Sequence, residues 1–205
     1  LHIPHGDMPG DKINIEKSHI EKAKVIFPEL IKKVKECATT NSKVVITVCG
    51  GSGVGKSEIA SLLAHYFENM GVGCYTLSGD NYPHRIPVYN DAERLRIFRE
   101  SAIRGMITDG EYSFERFNII HQYQLENKDS EPKNIVKYPW YESYIRNGAM
   151  GLQGYLGTEK EINFFEIQNI VKEFKSGAEK IWLKRMEEKI QNFGMKKWIF
   201  QKRIS

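Results

Sequence analysis

The chain has 205 residues, 40% of them apolar and 27% charged, with a formal net charge of +4. That balance excludes wholesale disorder and collagen-like repetition, and the length suits one domain. A surplus of 30 basic over 26 acidic residues is too small to argue for a nucleic-acid coat or a membrane-surface protein.

Residues 1–12 hold paired Pro, His and Gly residues and read as a loop. They lack the apolar stretch of a signal peptide. No apolar run approaches the ~18 residues of a membrane span. An initiating Met is also absent, so the chain is expected to begin inside a longer reading frame. From Ile15 to Cys37, Ile20, Ala23, Ile26, Phe27, Leu30, Ile31 and Val34 recur at helical spacing. Pro28 is expected to start a second helix there, because proline lacks the N–H that a helix interior needs. The cysteines, Cys37, Cys49 and Cys74, are widely spaced and form no CxxC. Reduced thiols in a cytoplasmic protein are expected, with neither nucleic acid nor membrane as partner.

Lys43 to Cys49, KVVITVC, is a β-branched run of the kind buried in a parallel sheet. A glycine-rich turn follows, and then a helix marked by Ile59, Leu62, Leu63, Tyr66, Phe67 and Met70, which Gly71 stops. Cys74 to Leu77 reads as a second strand, completing a βαβ unit. Asn90 or Asp91 is placed to cap a helix running to about Arg104. Tyr112 to Leu125 reads as a helix, residues 127–158 as an irregular insertion, and Asn163 to Lys175 as a helix before Gly177. The expected organisation is a helical extension over 1–42, a core over 43–185 and a basic tail over 186–205.

Within the turn, Gly50-Gly51-Ser52-Gly53-Val54-Gly55-Lys56-Ser57 matches G-x-x-x-x-G-K-[ST] in full. Glycines let the backbone wrap a phosphate closely. Successive N–H groups then converge on one concavity, and the following helix adds the positive end of its dipole. Lys56 is expected to reach the β- and γ-phosphates, and the Ser57 hydroxyl to ligate Mg²⁺. The strand before the motif and the helix after it are the context that the motif requires.

The second strand runs into Leu77-Ser78-Gly79-Asp80-Asn81-Tyr82-Pro83-His84-Arg85. Ligands of doubly wound sheets sit at the carboxyl ends of strands. Asp80 is placed there to accept a proton from a hydroxyl, to hold Mg²⁺ through water, or to form an Asx turn before Pro83. Arg85 suits phosphate or carboxylate, because its fork donates parallel hydrogen bonds. His84 fits an acceptor contact or a turn equally well. Arg94, Arg96 and Arg99 read as a solvated helix face rather than an acceptor grip. Asn127-Lys128-Asp129-Ser130 fails the guanine-reading N-K-x-D pattern at its last position.

GGSGVGKS after a first strand, with an Asp and an aromatic at the end of the second, resembles the uridine kinase and phosphoribulokinase group of P-loop kinases. The resemblance implies that Asp80 is the catalytic base and that Tyr82 stands for the group's aromatic. It also implies ATP as donor. Gly154 to Phe164, leading into a helix that ends Lys175-Ser176-Gly177, is similar to the group's later substrate-side segment, although Asn163 stands where that segment carries Asp. The insertion at 127–158 is atypical of uridine kinases. A late apolar strand ending in an acidic residue is not evident, and Lys184 and Arg185 give only a weak start to a lid.

The tail adds one oddity. With a single G inserted after the Met186 codon, one permitted coding of MEEKIQNFGMKKWIFQ reads MGRKDTEFWYEKVDFS. A lost base near Met186 that truncates the protein is one expectation, and a genuine basic C-terminal helix is the other. The fold expected is α/β, of P-loop NTPase type, a parallel sheet with helices on both faces and an incomplete C-terminal part. The function expected is phosphoryl transfer from ATP, with Mg²⁺, to a hydroxyl of a small metabolite. The alternative is an ATP-binding module, or truncated kinase, without catalytic activity.

Overall fold

The computed structural model describes residue 3 and residues 13–40, 42–51, 53–186 and 193–199. The expected loop over 1–12 lies, but for Ile3, outside the described residues, as do 187–192 and 200–205 of the tail. The chain forms two compact units. One comprises Leu1–Pro87 with Ile162–Ser205, and the other Val88–Glu161.

The first unit opens with α1, Lys17–Ala38. Pro28 lies inside this helix rather than starting a second one. Its ring leaves one carbonyl of the preceding turn without a partner, and the exposure of Lys24 and Pro28 lets water take that role. The apolar stripe of α1 turns toward α2, Lys56–Asn69. Phe27 meets Tyr66 and Phe67 edge-on, with ring centroids 4.8 and 5.1 Å apart. Leu62, Leu63, Phe67 and Ala23 are buried. Gly71, at φ 78°, ends α2 in the expected place.

The parallel sheet is not formed among the described residues. Neither Lys43–Cys49 nor Cys74–Leu77 pairs into a strand. Val45 and Ile46 stay about 40% exposed (41% and 39%), so the run read as buried lacks the neighbours that would cover it. The strands that do form are β1, Lys180–Met186, and β2, Phe193–Ile199. They are antiparallel, with Lys180 opposite Ile199 and Met186 opposite Phe193. The tail, for which a basic helix was one of two expectations, supplies a strand over 193–199 instead. On β1, Ile181 and Leu183 are buried while Trp182 is 54% exposed, the alternation of a sheet with one covered face. Helix α7, Phe164–Lys175, precedes β1. Asn163 caps it, the side chain accepting from Glu166 N–H at 3.2 Å.

The second unit holds most of α3, Pro87–Thr108, with α4, Phe114–Leu125, α5, Lys133–Lys137, and α6, Tyr141–Gln153. Helix α3 starts at Pro87, ahead of the expected caps Asn90 and Asp91; proline at the first helical position loses only an N–H that would be unpaired there anyway. The irregular insertion expected at 127–158 contains α5 and α6 instead. Phe98, Ala102, Met106, Ile120, Tyr141 and Tyr144 form the core of this unit. Two glycines that disguised α6 are packing devices. A Cβ on Gly148 would stand 2.6 Å from the Phe98 ring, and one on Gly151 would stand 1.9 Å from Ser101 Oγ. They let α6 lie directly against α3.

Candidate nucleotide site

The phosphate loop sits between the extended run ending at Cys49 and the start of α2. Gly53 (φ 75°) and Gly55 (φ 89°) hold left-handed backbone that a side chain would strain. Ser52 lies outside the described residues. Gly55 is the N-cap of α2, and no side chain among the described residues caps it. The first ladder bond runs from Ile59 N–H to Gly55 C=O at 3.1 Å. The N–H groups of Lys56, Ser57 and Glu58 are thereby left at the positive end of the helix, the arrangement that receives an anion. Lys56 folds back so that Nζ donates to Gly51 C=O at 2.5 Å, which closes the loop on itself. The Ser57 side chain is exposed, as is the Val54 side chain beside it, while Gly50 and Gly51 lead into the loop.

Asp80 lies in a 3-10 turn, Gly79–Asn81, after the second extended run. The Ser78 hydroxyl accepts from its N–H at 3.3 Å. The Asp80 carboxylate is exposed and makes no hydrogen bond or ion pair among the described residues. The turn itself is braced from below. Tyr82 is fully buried, and its hydroxyl accepts from Lys184 N–H at 3.2 Å. Asn163 N–H donates to Tyr82 C=O at 2.7 Å, and Pro83 bridges to Ile162. Tyr82 thus anchors the turn rather than offering a face to an acceptor. His84 is exposed and Arg85 half-buried on the same segment.

The structure brings the Asp80 turn against Ile162 and Asn163, the end of the segment read as substrate-side. It places the phosphate loop in the same unit, with no hydrogen bond or ion pair between Lys56 and Asp80. Lys184 starts no lid: it lies in β1, and its Nζ pairs with Glu166 at 2.6 Å. β1 is a late strand that was not evident from the sequence; it alternates apolar with basic residues and pairs antiparallel with β2. Glu187 and Glu188 follow it in the sequence, outside the described residues.

In the second unit, the reading of a solvated arginine face holds for Arg96, which is exposed and pairs with Glu93 and Glu100. It fails for the other two. Arg94 Nε donates at 2.6 Å to Glu161, whose side chain is 2% exposed. Asn90 and the Gly157 N–H complete the shell of that carboxylate. Arg99 forks onto Asp129 at 2.7 and 3.0 Å. Arg96, Arg99 and Arg104 line an open depression of about 730 Å³. Carboxylates already occupy all three guanidiniums, Arg104 through Glu100, so they offer no spare fork to an acceptor. Asp129 is also taken by the Tyr144 hydroxyl at 2.8 Å, a structural use of the segment that resembled a guanine motif.

The Zeta toxin family model matches residues 28–105, which span the phosphate loop and Asp80. The chain is also similar to a bifunctional alpha-galactosidase/sucrose kinase, AgaSK, of Mediterraneibacter gnavus, with 35% identity over 159 residues. That alignment covers 77% of this chain and 12% of the relative, so the chain spans about an eighth of that protein's length. No solved structure matches. The two matches support a P-loop kinase, and the family match implies a P-loop NTPase fold. Among the described residues, no helix is long and apolar enough to cross a membrane.

Proposed function

We propose that the chain carries the nucleotide-binding and proton-accepting parts of an ATP-dependent kinase that phosphorylates a hydroxyl of a sugar-like small molecule. The observation that carries this is the start of α2: two left-handed glycines, three uncapped N–H groups and Lys56 and Ser57 in its first turn. Such a turn binds a polyphosphate whatever follows. The sugar-like acceptor rests on the sucrose kinase relative. The role of Asp80 rests on the resemblance to the uridine kinase and phosphoribulokinase group, and on its exposed carboxylate with no partner among the described residues.

In this reading the loop N–H groups hold the β-phosphate, and Lys56 leaves Gly51 C=O to meet the β- and γ-oxygens. Asp80 accepts the proton of the acceptor hydroxyl as that oxygen bonds to the γ-phosphorus and the bond to ADP breaks. Most of the rate enhancement then comes from positioning and charge neutralisation. Ser57 fits a magnesium ion: its hydroxyl is a hard oxygen donor, exposed at the loop exit and without a partner among the described residues. When bound, Mg²⁺ neutralises phosphate oxygens. Arg85 and His84, on the Asp80 segment, are the proposed acceptor contacts.

The test is turnover with ATP, Mg²⁺ and a panel of sugars that includes sucrose, run on the native chain and on Asp80→Asn. The native chain is expected to transfer phosphate. The variant is expected to lose about 10²- to 10⁴-fold of the rate while ATP affinity stays constant. A native chain that binds ATP but phosphorylates no hydroxyl compound is the binding module without catalysis.

A further inference from the structure

The sequence motif leaves out a side chain that the fold brings to the loop. His19 lies in the first turn of α1, three residues after the N-cap Glu16. Its Nδ1 accepts from Glu16 N–H at 3.1 Å, one half of a reciprocal capping box. An imidazole that accepts through Nδ1 carries its proton on Nε2 when neutral. That Nε2 lies at the phosphate loop: it stands 2.8 Å from where a Cβ on Gly55 would be, closer than the ring's Cδ2 at 3.1 Å. The Nε2–H has no hydrogen-bond partner among the described residues. The ring is held there by the packing of Phe27 on Tyr66 and Phe67, which fixes α1 against α2.

This Nε2–H lies at the Gly55 end of the loop, next to the first N–H groups of α2, which are uncapped among the described residues. We propose that His19 is a further nucleotide-binding residue, whose Nε2–H donates to a phosphate oxygen of the triphosphate held on the loop. This rests on the phosphate-loop reading above. The loop then binds its ligand from two sides: α2 supplies backbone N–H groups and dipole, and α1 supplies one side-chain donor. Gly55 is glycine for two reasons, its left-handed backbone and the room it leaves for the imidazole. Glu58 stands on the same side, its Oε2 3.8 Å from the same Cβ position.

A purely structural histidine would serve only the cap of α1. Glu and Gln are the residues that capping boxes prefer at this position. His19→Glu keeps the cap acceptor and puts a negative charge at the loop. His19→Gln keeps the cap acceptor and leaves an N–H₂ donor beside it. Binding is measured by titration calorimetry with ATP and with inorganic tripolyphosphate, alongside thermal melting. His19→Glu is expected to melt like the native chain and to weaken both ligands about tenfold or more, because it removes the donor and adds a like charge beside the phosphates. His19→Gln is expected to retain most of the affinity. Native-like affinity in both variants overturns the assignment to His19 and leaves the loop standing. A native chain that binds neither ATP nor tripolyphosphate overturns the loop reading, and the assignment with it.

Discussion

The phosphate loop and the α3–α6 contact both depend on glycine, and they use it in opposite ways. At Gly53 and Gly55 the missing Cβ permits a left-handed backbone, and neighbouring polar groups have no partner among the described residues: three helix N–H groups, the Ser57 hydroxyl and the Asp80 carboxylate further along the unit. At Gly148 and Gly151 the backbone is ordinary helix, and the missing Cβ permits contact with Phe98 and Ser101. There the charged groups are paired. Glu161 and Asp129, both nearly fully buried, each take an arginine and a further donor. Unspent hydrogen-bonding capacity marks the proposed ligand site, and largely saturated capacity marks the region built to stay folded, where Asn90 Oδ1 is a buried exception.

Removing the centre of the saturated region breaks the comparison most severely. Asp129→Ala takes the acceptor from Arg99, whose side chain is 26% exposed, and from the buried Tyr144 hydroxyl. Loss of one member of a buried pair costs about 3–5 kcal/mol, read as a fall in the urea midpoint. The effect has a pH signature. Burial pushes the Asp129 carboxyl up, but hydrogen bonds from Arg99 and Tyr144 outweigh it and hold the group below its ordinary 3.8. A depressed carboxylate stabilises fully above the unfolded value and loses that contribution as pH falls through the folded one. The gap between native and variant midpoints is therefore expected to be widest near neutrality and to close below pH 3.8. A gap independent of pH would show that Asp129 acts by packing alone.

Gly151→Ala comes next. Its Cβ would fall 1.9 Å from Ser101 Oγ and 2.2 Å from Ser101 Cβ. The second atom is fixed to the backbone, so α6 must move away from α3. Overpacking of this kind costs about 1–3 kcal/mol. Adding Ser101→Gly removes both clashing atoms and is expected to recover much of the lost stability. Equal stability in the single variant and the native chain would mean that the two helices are not in contact at this point.

These contacts explain what the sequence could reveal. Helices α2 and α7 were legible because apolar residues recur at helical spacing and Gly71 and Gly177 end the runs. Helix α6 was hidden because Gly148 and Gly151 read as loop residues when their partners on α3 are unknown. β1 was hidden because Lys180, Trp182 and Lys184 alternate with Ile181 and Leu183, and the basic residues dominated the reading. The phosphate loop could be read as a contiguous motif. Asp80 could be placed by its position after the second extended run. The partners of Arg94 and Arg99 could not be read, since Glu161 and Asp129 lie 67 and 30 residues further along the chain. His19 was missed for the same reason. Its only local signal is the three-residue spacing from Glu16, which predicts a cap and not a ligand.

Gly55→Ala is the smallest expected change in stability and sharpens the comparison most. The left-handed backbone costs a residue with a Cβ about 1–2 kcal/mol. The added atom also meets the far end of the His19 side chain, which can turn aside more easily than a helix can move. The melting temperature is thus expected to fall by less than in Gly151→Ala, while ATP affinity falls by more. That inversion separates a glycine kept for a ligand from one kept for packing. Combining Gly55→Ala with His19→Ala relieves the contact but not the strain, so the two changes should be non-additive by about 0.5 kcal/mol or more, as for residues in contact. Strict additivity in melting would mean that the imidazole does not rest on Gly55 in solution. The affinity of the double variant would then report the loop alone.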